Sequence, residues 1–182
     1  MNIRKMGTLV TALAFSLCLI PPSAAQPKRD LKASHNRLVK QIRTELMMLS
    51  NYSLFDILEF EITGVDTVVL SGQVTRPTLK DDAEKAVRGI EGAGKVINKV
   101  EVLPLSPEDD RIRVAVYRAI AGKQGLDRYM LRAAPPIHII IKNGSITLVG
   151  NVATQADKDL AGIAARGISG TFGIVNNLRV EK

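Results

Sequence analysis

"ITLVGNVATQADKDLAGIAARGISGTFGIVNNLRV", residues 146–180, repeats an earlier part of the chain. Seventy-eight positions back, with no gap, residues 68–102 read "VVLSGQVTRPTLKDDAEKAVRGIEGAGKVINKVEV", and 13 of the 35 positions are identical. Chance alone gives roughly two or three. The shared positions include Gly72/Gly150, Lys80/Lys158, Arg88/Arg166 and Asn98/Asn176. A period of 78 is too long for one unit of a solenoid, so each copy is expected to own a core.

Each copy has the same order of elements. In the first, Leu38, Ile42, Leu46 and Leu49 recur at helical spacing, and "FDILEFEI" and "VVLSGQV" read as two strands around the turn "TGVDT". Pro77 opens a second helix, with Leu79, Ala83, Ala86, Val87 and Ile90 on one face, and "KVINKVEVLP" is a third strand. In the second, Ser106 and Pro107 start a helix with the stripe Ile112, Val116 and Ile120. Asn143-Gly144 marks a hairpin, and Thr154 and Asp157 stand at capping-box spacing. The fold class is therefore α+β: two small αββαβ sandwiches, each a three-stranded sheet packed against two helices. The offset is 74 in the first helices and 78 later, so about four extra residues are expected in the second copy near "GKQGLDRYMLRAAPP".

Around the repeats, Arg4 and Lys5 precede an apolar run from Thr8 to Ile20, and Ser23-Ala24-Ala25 offers small residues for cleavage. Residues 1–25 are read as a secretory signal peptide, with cleavage after Ala25 and a periplasmic destination. Leu17 precedes Cys18 where a lipidated cysteine normally follows Gly, Ala or Ser, so a soluble exported protein is expected rather than a lipoprotein. The mature chain then lacks cysteine and relies on its cores. The domains are read as a basic N-terminal segment at 26–37, a first unit at 38–104 and a second at 105–182.

The formal net charge is +7, unevenly spread. The first unit is slightly acidic and the second is basic; residues 111–132 hold six basic side chains and only Asp127 as an acid. On a helical wheel Arg113, Val114, Tyr117 and Arg118 fall outside the core stripe. Lys123, Arg128, Tyr129, Met130 and Arg132 follow. Cations interleaved with aromatic and aliphatic residues suit a membrane interface, where arginine meets anionic headgroups and tyrosine sits at headgroup depth. The candidate lipid-binding set is Arg113, Tyr117, Arg118, Lys123, Arg128, Tyr129 and Arg132. The same segment also reads as an ordinary solvated basic face or a contact with the other copy.

Little points to chemistry. His35 and His138 are the only histidines and stand far apart, no ligand spacing suggests a metal, and no serine lies in a nucleophile elbow. Gly72 and Gly150 belong to no phosphate-loop pattern and read as bulge or close-packing positions. Asp81, Asp82, Asp157 and Asp159 lie near helix starts, where carboxylates favour the dipole. No enzyme activity, cofactor, metal or small-molecule substrate is expected. Low aromatic content and export argue against nucleic acid.

The strand glycine in "LSGQV" and "LVGNV", the helices "DDAEKAVRGIEG" and "DKDLAGIAARGISG", and the endings "KVINKVEV" and "GIVNNLRV" resemble the BON domain, named for bacterial OsmY and nodulation proteins. A doubled copy behind a signal peptide is similar to tandem-BON periplasmic proteins of the OsmY type. The resemblance implies an exported, non-enzymatic binding protein that contacts phospholipid surfaces and supports envelope integrity under osmotic or other stress. A structural adaptor binding an envelope protein or a peptidoglycan-associated partner is the alternative.

Overall fold

The computed structural model describes residues 27–132 and 135–181, with side chains from residue 32 onward. The first unit is built from α1 (Pro27–Met47), β1 (Ile57–Thr63), β2 (Thr67–Val74), α2 (Pro77–Arg88), β3 (Lys95–Asn98) and β4 (Glu101–Val102). The second consists of α3 (Pro107–Ala121), α4 (Asp127–Met130), β5 (Ile137–Lys142), β6 (Ser145–Val152), α5 (Gln155–Arg166) and β7 (Gly173–Val180). Both are α+β sandwiches with the expected αββαβ core.

In each unit an antiparallel hairpin is followed by a helix and a third strand parallel to the hairpin's second strand. Alternate residues of the strands face the helices. Val68, Leu70 and Val74 close the first core with Leu38, Ile42, Leu46, Leu79, Ala83 and Val87. Ile146, Leu148 and Val152 do the same for the second with Ile112, Val116, Ile120, Ala161 and Ala165. The period of two in the strands and the helical stripe meet in one apolar layer, which supplies most of the folding drive.

The repeated residues are structural. Asn98 Nδ2 donates to the Lys80 carbonyl at 3.0 Å, and Asn176 Nδ2 donates to the Lys158 carbonyl at 2.8 Å. Each asparagine also accepts from the amide two residues on, at Val100 and Leu178. One amide side chain thus pins helix to sheet in both copies. Gly72 and Gly150 have φ of 117° and 133°, and a Cβ there would stand 2.1 Å from the Ile57 carbonyl oxygen and 1.9 Å from that of Pro136. Their neighbour is the backbone of the preceding strand's start, so only glycine fits.

Residues 27–37 of the basic N-terminal segment form the first part of α1. Three features depart from the sequence reading. The third strand of the first unit is broken at Lys99–Val100 into β3 and β4, whereas β7 runs uninterrupted for eight residues. The connection between first helix and first strand is longer in the second copy, as expected, spanning 122–136 against 48–56, but it forms the unforeseen helix α4. The hairpin turns also differ by one residue, 64–66 against 143–144, so no single offset aligns both strands of the hairpin.

The connection 48–56 joins the two units. Leu54 and Phe55 pack against the second core, and the Ile139 amide donates to the Leu54 carbonyl at 2.8 Å. Lys142 Nζ meets Glu101 Oε1 at 2.6 Å, and the rings of Tyr52 and His138 lie 5.8 Å apart.

Candidate functional site

The candidate surface begins on α3. Ser106 caps the helix by accepting from the Asp109 amide, and Glu108, Asp109 and Asp110 occupy the first turn, where the helix dipole favours acids. Asp109 is itself buried. Its two carboxylate oxygens accept from the Asn143 and Gly144 amides at 2.9 and 2.8 Å, which holds the β5–β6 turn against the start of α3. Asn143 and Gly144 have φ of 50° and 73°, the left-handed pair that such a tight hairpin requires.

Two candidate residues do not lie on the outer face where the sequence placed them. Arg113 is only 5% exposed. Its guanidinium donates to the Ile141 carbonyl at 3.0 Å and pairs with Asp110. Position 113 lies at the margin of the core stripe, and the long side chain carries its charge to the end of β5 rather than into solvent. Tyr129 is also 5% exposed. Its hydroxyl accepts from the Ala153 amide at 2.8 Å and donates to Asp157 Oδ2 at 3.0 Å. An amphipathic ring suits a core with a polar partner as well as it suits an interface, and sequence alone does not separate the two.

The remaining candidates are divided. Tyr117 is half-buried and packs against the second core. Arg128 is exposed but engaged: it donates to Asp157 at 2.8 Å and lies over the Tyr129 ring at 4.9 Å. Arg118, Lys123 and Arg132 are exposed, and among the described residues none has a carboxylate within ion-pair distance. The structure therefore separates the set into an internal tie (Tyr129, Arg128), an inward-turned Arg113, a half-buried Tyr117 and three free cations (Arg118, Lys123, Arg132). Leu126, Tyr129 and Met130 of the inserted stretch enter the core, so the stretch serves packing as well as surface.

Asp157 holds the internal tie together. Its carboxyl is kept below the ordinary carboxylate range, first by the hydrogen bond from Thr154, against a counteracting effect of burial, and further by Tyr129 and Arg128. The Thr154–Asp157 pair that capping-box spacing marked in the sequence thus also anchors the inserted stretch.

The open faces of the two sheets border a cleft of about 750 Å³, with Glu59, Gln73 and Glu101 from the first unit and Lys158, Asn177 and Arg179 from the second. Glu101 is held below its ordinary pKa by hydrogen bonds from Gln73 and Lys142. A neighbouring groove takes in Tyr52 and His138. Burial pushes the Tyr52 phenol up to about 12 and the His138 imidazole down. Among the described residues no group of three or more His, Cys, Asp or Glu is arranged to hold a metal, and no helix is long and apolar enough to cross a membrane.

The fold is matched by known proteins. The BON domain family matches residues 39–104 and again 108–182. The outer membrane lipoprotein DolP of Haemophilus influenzae is 30% identical over 112 residues, which cover 59% of this chain and 55% of that protein, so the match spans about half of the relative's length. The C-terminal domain of CdsD, a structural protein of the type III secretion system of Chlamydia trachomatis, aligns over 80% of this chain and 98% of its own. Its identity is 12% and its TM-score 0.30, too low to say anything about this chain. With both units matched and the matches spanning most of its length, the chain belongs to the BON domain family, in tandem form.

Proposed function

We propose that this chain is an envelope-associated, non-catalytic binding protein, exported to the periplasm, whose second unit contacts anionic phospholipid. The observation that carries this reading is the trio Arg118, Lys123 and Arg132, exposed and without carboxylate partners among the described residues. Lys123 and Arg132 stand in the connection where the two copies differ most in length, and Arg118 in the last turn of the helix before it. The relative named as an outer membrane lipoprotein supports an envelope setting. The consequence for the cell is support of envelope integrity under osmotic load.

The test is co-sedimentation of the mature chain with vesicles of phosphatidylglycerol and phosphatidylethanolamine. Each interfacial cation is worth about 1 kcal/mol near an anionic surface, so R118E/K123E/R132E should weaken binding by about a hundredfold or more. Added salt should weaken the parent in the same direction. Equal binding by variant and parent at low salt would reject the reading. Charge reversal at Arg113 is not a lipid test, because it breaks a buried bond and lowers stability first.

One observation favours an adaptor role as a second reading. The Leu54 carbonyl covers part of the free edge of β5, while β7 forms the opposite edge, eight residues long and without proline. Such an edge suits strand addition by a protein partner. Retention of an envelope protein without vesicle binding would favour it.

A further inference from the structure

Among the exposed large apolar side chains of the second unit are Val114 at 42%, Ile163 at 60% and Phe172 at 88%. Val114 stands midway along α3, Ile163 in the last turn of α5, and Phe172 beyond the end of α5, against Gly144 of the β5–β6 turn. The start of α3 is fastened to the β5–β6 turn by Asp109, and the segment leaving α5 returns to that turn, where the Phe172 amide donates to the Gly144 carbonyl at 3.0 Å. α3 and α5 pack against each other and so run antiparallel, with the beginning of one beside the end of the other. Val114 and Ile163 lie opposite the buried stripes of their helices, facing away from the sheet. The Arg111 guanidinium lies against Gly170 of the loop that carries Phe172.

The first unit differs at the corresponding positions. Its positions corresponding to Val114, Ile163 and Phe172 are Lys40, Lys85 and Gly94. The correspondence is anchored in the structure. The Gly94 amide makes the same bond to the Asp66 carbonyl, at 2.9 Å, and the core pairs Ile42/Val116 and Ala83/Ala161 are buried alike. At all three sites the second copy places an apolar side chain in solvent where the first does not. Exposed apolar groups that one copy carries on the outer side of its helix layer, and the other lacks at the same positions, mark a surface that is covered in use.

Charge around the patch indicates what covers it. Arg118 and Arg166 are exposed and have no ion-pair partner among the described residues. Glu108 and Asp110 are paired with Arg111 and Arg113, and Asp159, a turn before Ile163 on α5, accepts from Gln155. Free positive charge beside an aromatic tip and two aliphatic side chains is complementary to an anionic lipid surface with an apolar interior.

We propose that the outer side of the helix layer lies on an anionic bilayer, with Phe172, Val114 and Ile163 entering the headgroup–acyl boundary and setting the orientation of the second unit on it. This rests on the lipid reading above and adds which side chains leave water. The chain contains no tryptophan, so F172W carries a unique fluorophore, and V65W on the exposed first-unit hairpin turn is its control. Both would be mixed, as the full mature chain, with vesicles of equal phosphatidylglycerol and phosphatidylethanolamine, with and without bromine-labelled acyl chains. The indole emission of F172W is expected to shift to the blue and be quenched by bromine, while that of V65W is unchanged. F172S should bind about tenfold more weakly than the parent, since a partly buried phenyl ring is worth that much. Sedimentation of F172W with vesicles but no quenching overturns this inference and leaves the lipid reading in place. Failure of parent and variants alike to sediment overturns both. A blue shift of F172W emission produced only by envelope protein, without vesicles, makes the patch a protein interface and also overturns it.

Discussion

The hydroxyl of Tyr129 lies 3.0 Å from Oδ2 of Asp157, and with the Ala153 amide at 2.8 Å it has a partner on each side. In the first unit the corresponding amide, that of Thr75, is held at 2.7 Å by the buried carboxylate of Asp56 instead. The two copies thus satisfy the same backbone group after the second strand with different chemistry. The inserted stretch of the second copy carries its own replacement for the aspartate. Y129F should therefore cost about 0.5–1.5 kcal/mol of stability by urea titration, because it removes the hydroxyl that accepts from the Ala153 amide and donates to Asp157. It should leave vesicle affinity unchanged in the folded protein, since Tyr129 does not face solvent.

Asp157 predicts the acid limit of that tie. Its folded pKa lies below the ordinary carboxylate value, so its contribution is fully present above about pH 4 and is lost as pH falls through the depressed value. D157N should be less stable than the parent near neutrality, and the gap should close in strong acid. Denaturant titrations of both proteins across that range check the sign.

His138 acts at a higher pH. Burial lowers its pKa, and the groups facing it from the connection 48–56 are Tyr52 and Asp56. The unfolded chain therefore takes up a proton before the folded one, and stability falls as pH drops below about 6.5 toward the depressed value. The urea midpoint of H138Q should fall less over this window than that of the parent. Equal slopes would mean that the imidazole is not held neutral in the fold.

Two glycines of the second unit should respond oppositely to alanine. At Gly150 a Cβ would stand 1.9 Å from the Pro136 carbonyl oxygen at a φ of 133°, so G150A is expected to cost more than about 2 kcal/mol. At Gly167, after α5, φ is −73° and the nearest atom is at an ordinary 3.6 Å. G167A should be neutral or stabilise by up to about 1 kcal/mol through the unfolded state. Thermal melts of the two variants decide between a backbone requirement and a mere preference for glycine.

The expected leader, residues 1–25 with Cys18, lies outside the described residues. Intact mass of the protein recovered from cells should match a chain beginning at Gln26. A lipid-modified Cys18 at the start would replace the soluble reading with a tethered one and add a membrane contact independent of the second unit.

The repeat by itself determined the two αββαβ units, the cap at Ser106 and the turn at Asn143-Gly144. These depend on local chemistry and on periods of two and 3.6 that recur in both copies. Asn98 and Asn176 were visible as shared residues, but their bonds to Lys80 and Lys158 span 18 residues and appear only when helix and strand are packed. Tertiary structure alone decided the candidate surface. On the helical wheel Arg113 sits beside Val114, and at headgroup depth Tyr129 looks like Tyr117. Whether a long or amphipathic side chain turns inward depends on a distant partner, here the Ile141 carbonyl and the Ala153 amide. Phe172 and Ile163 went unnoticed because an apolar residue in a repeat reads as core. Their exposure follows from which side of α5 and which end of the hairpin meets solvent, and the contrast with Gly94 and Lys85 was the one signal of it in the sequence.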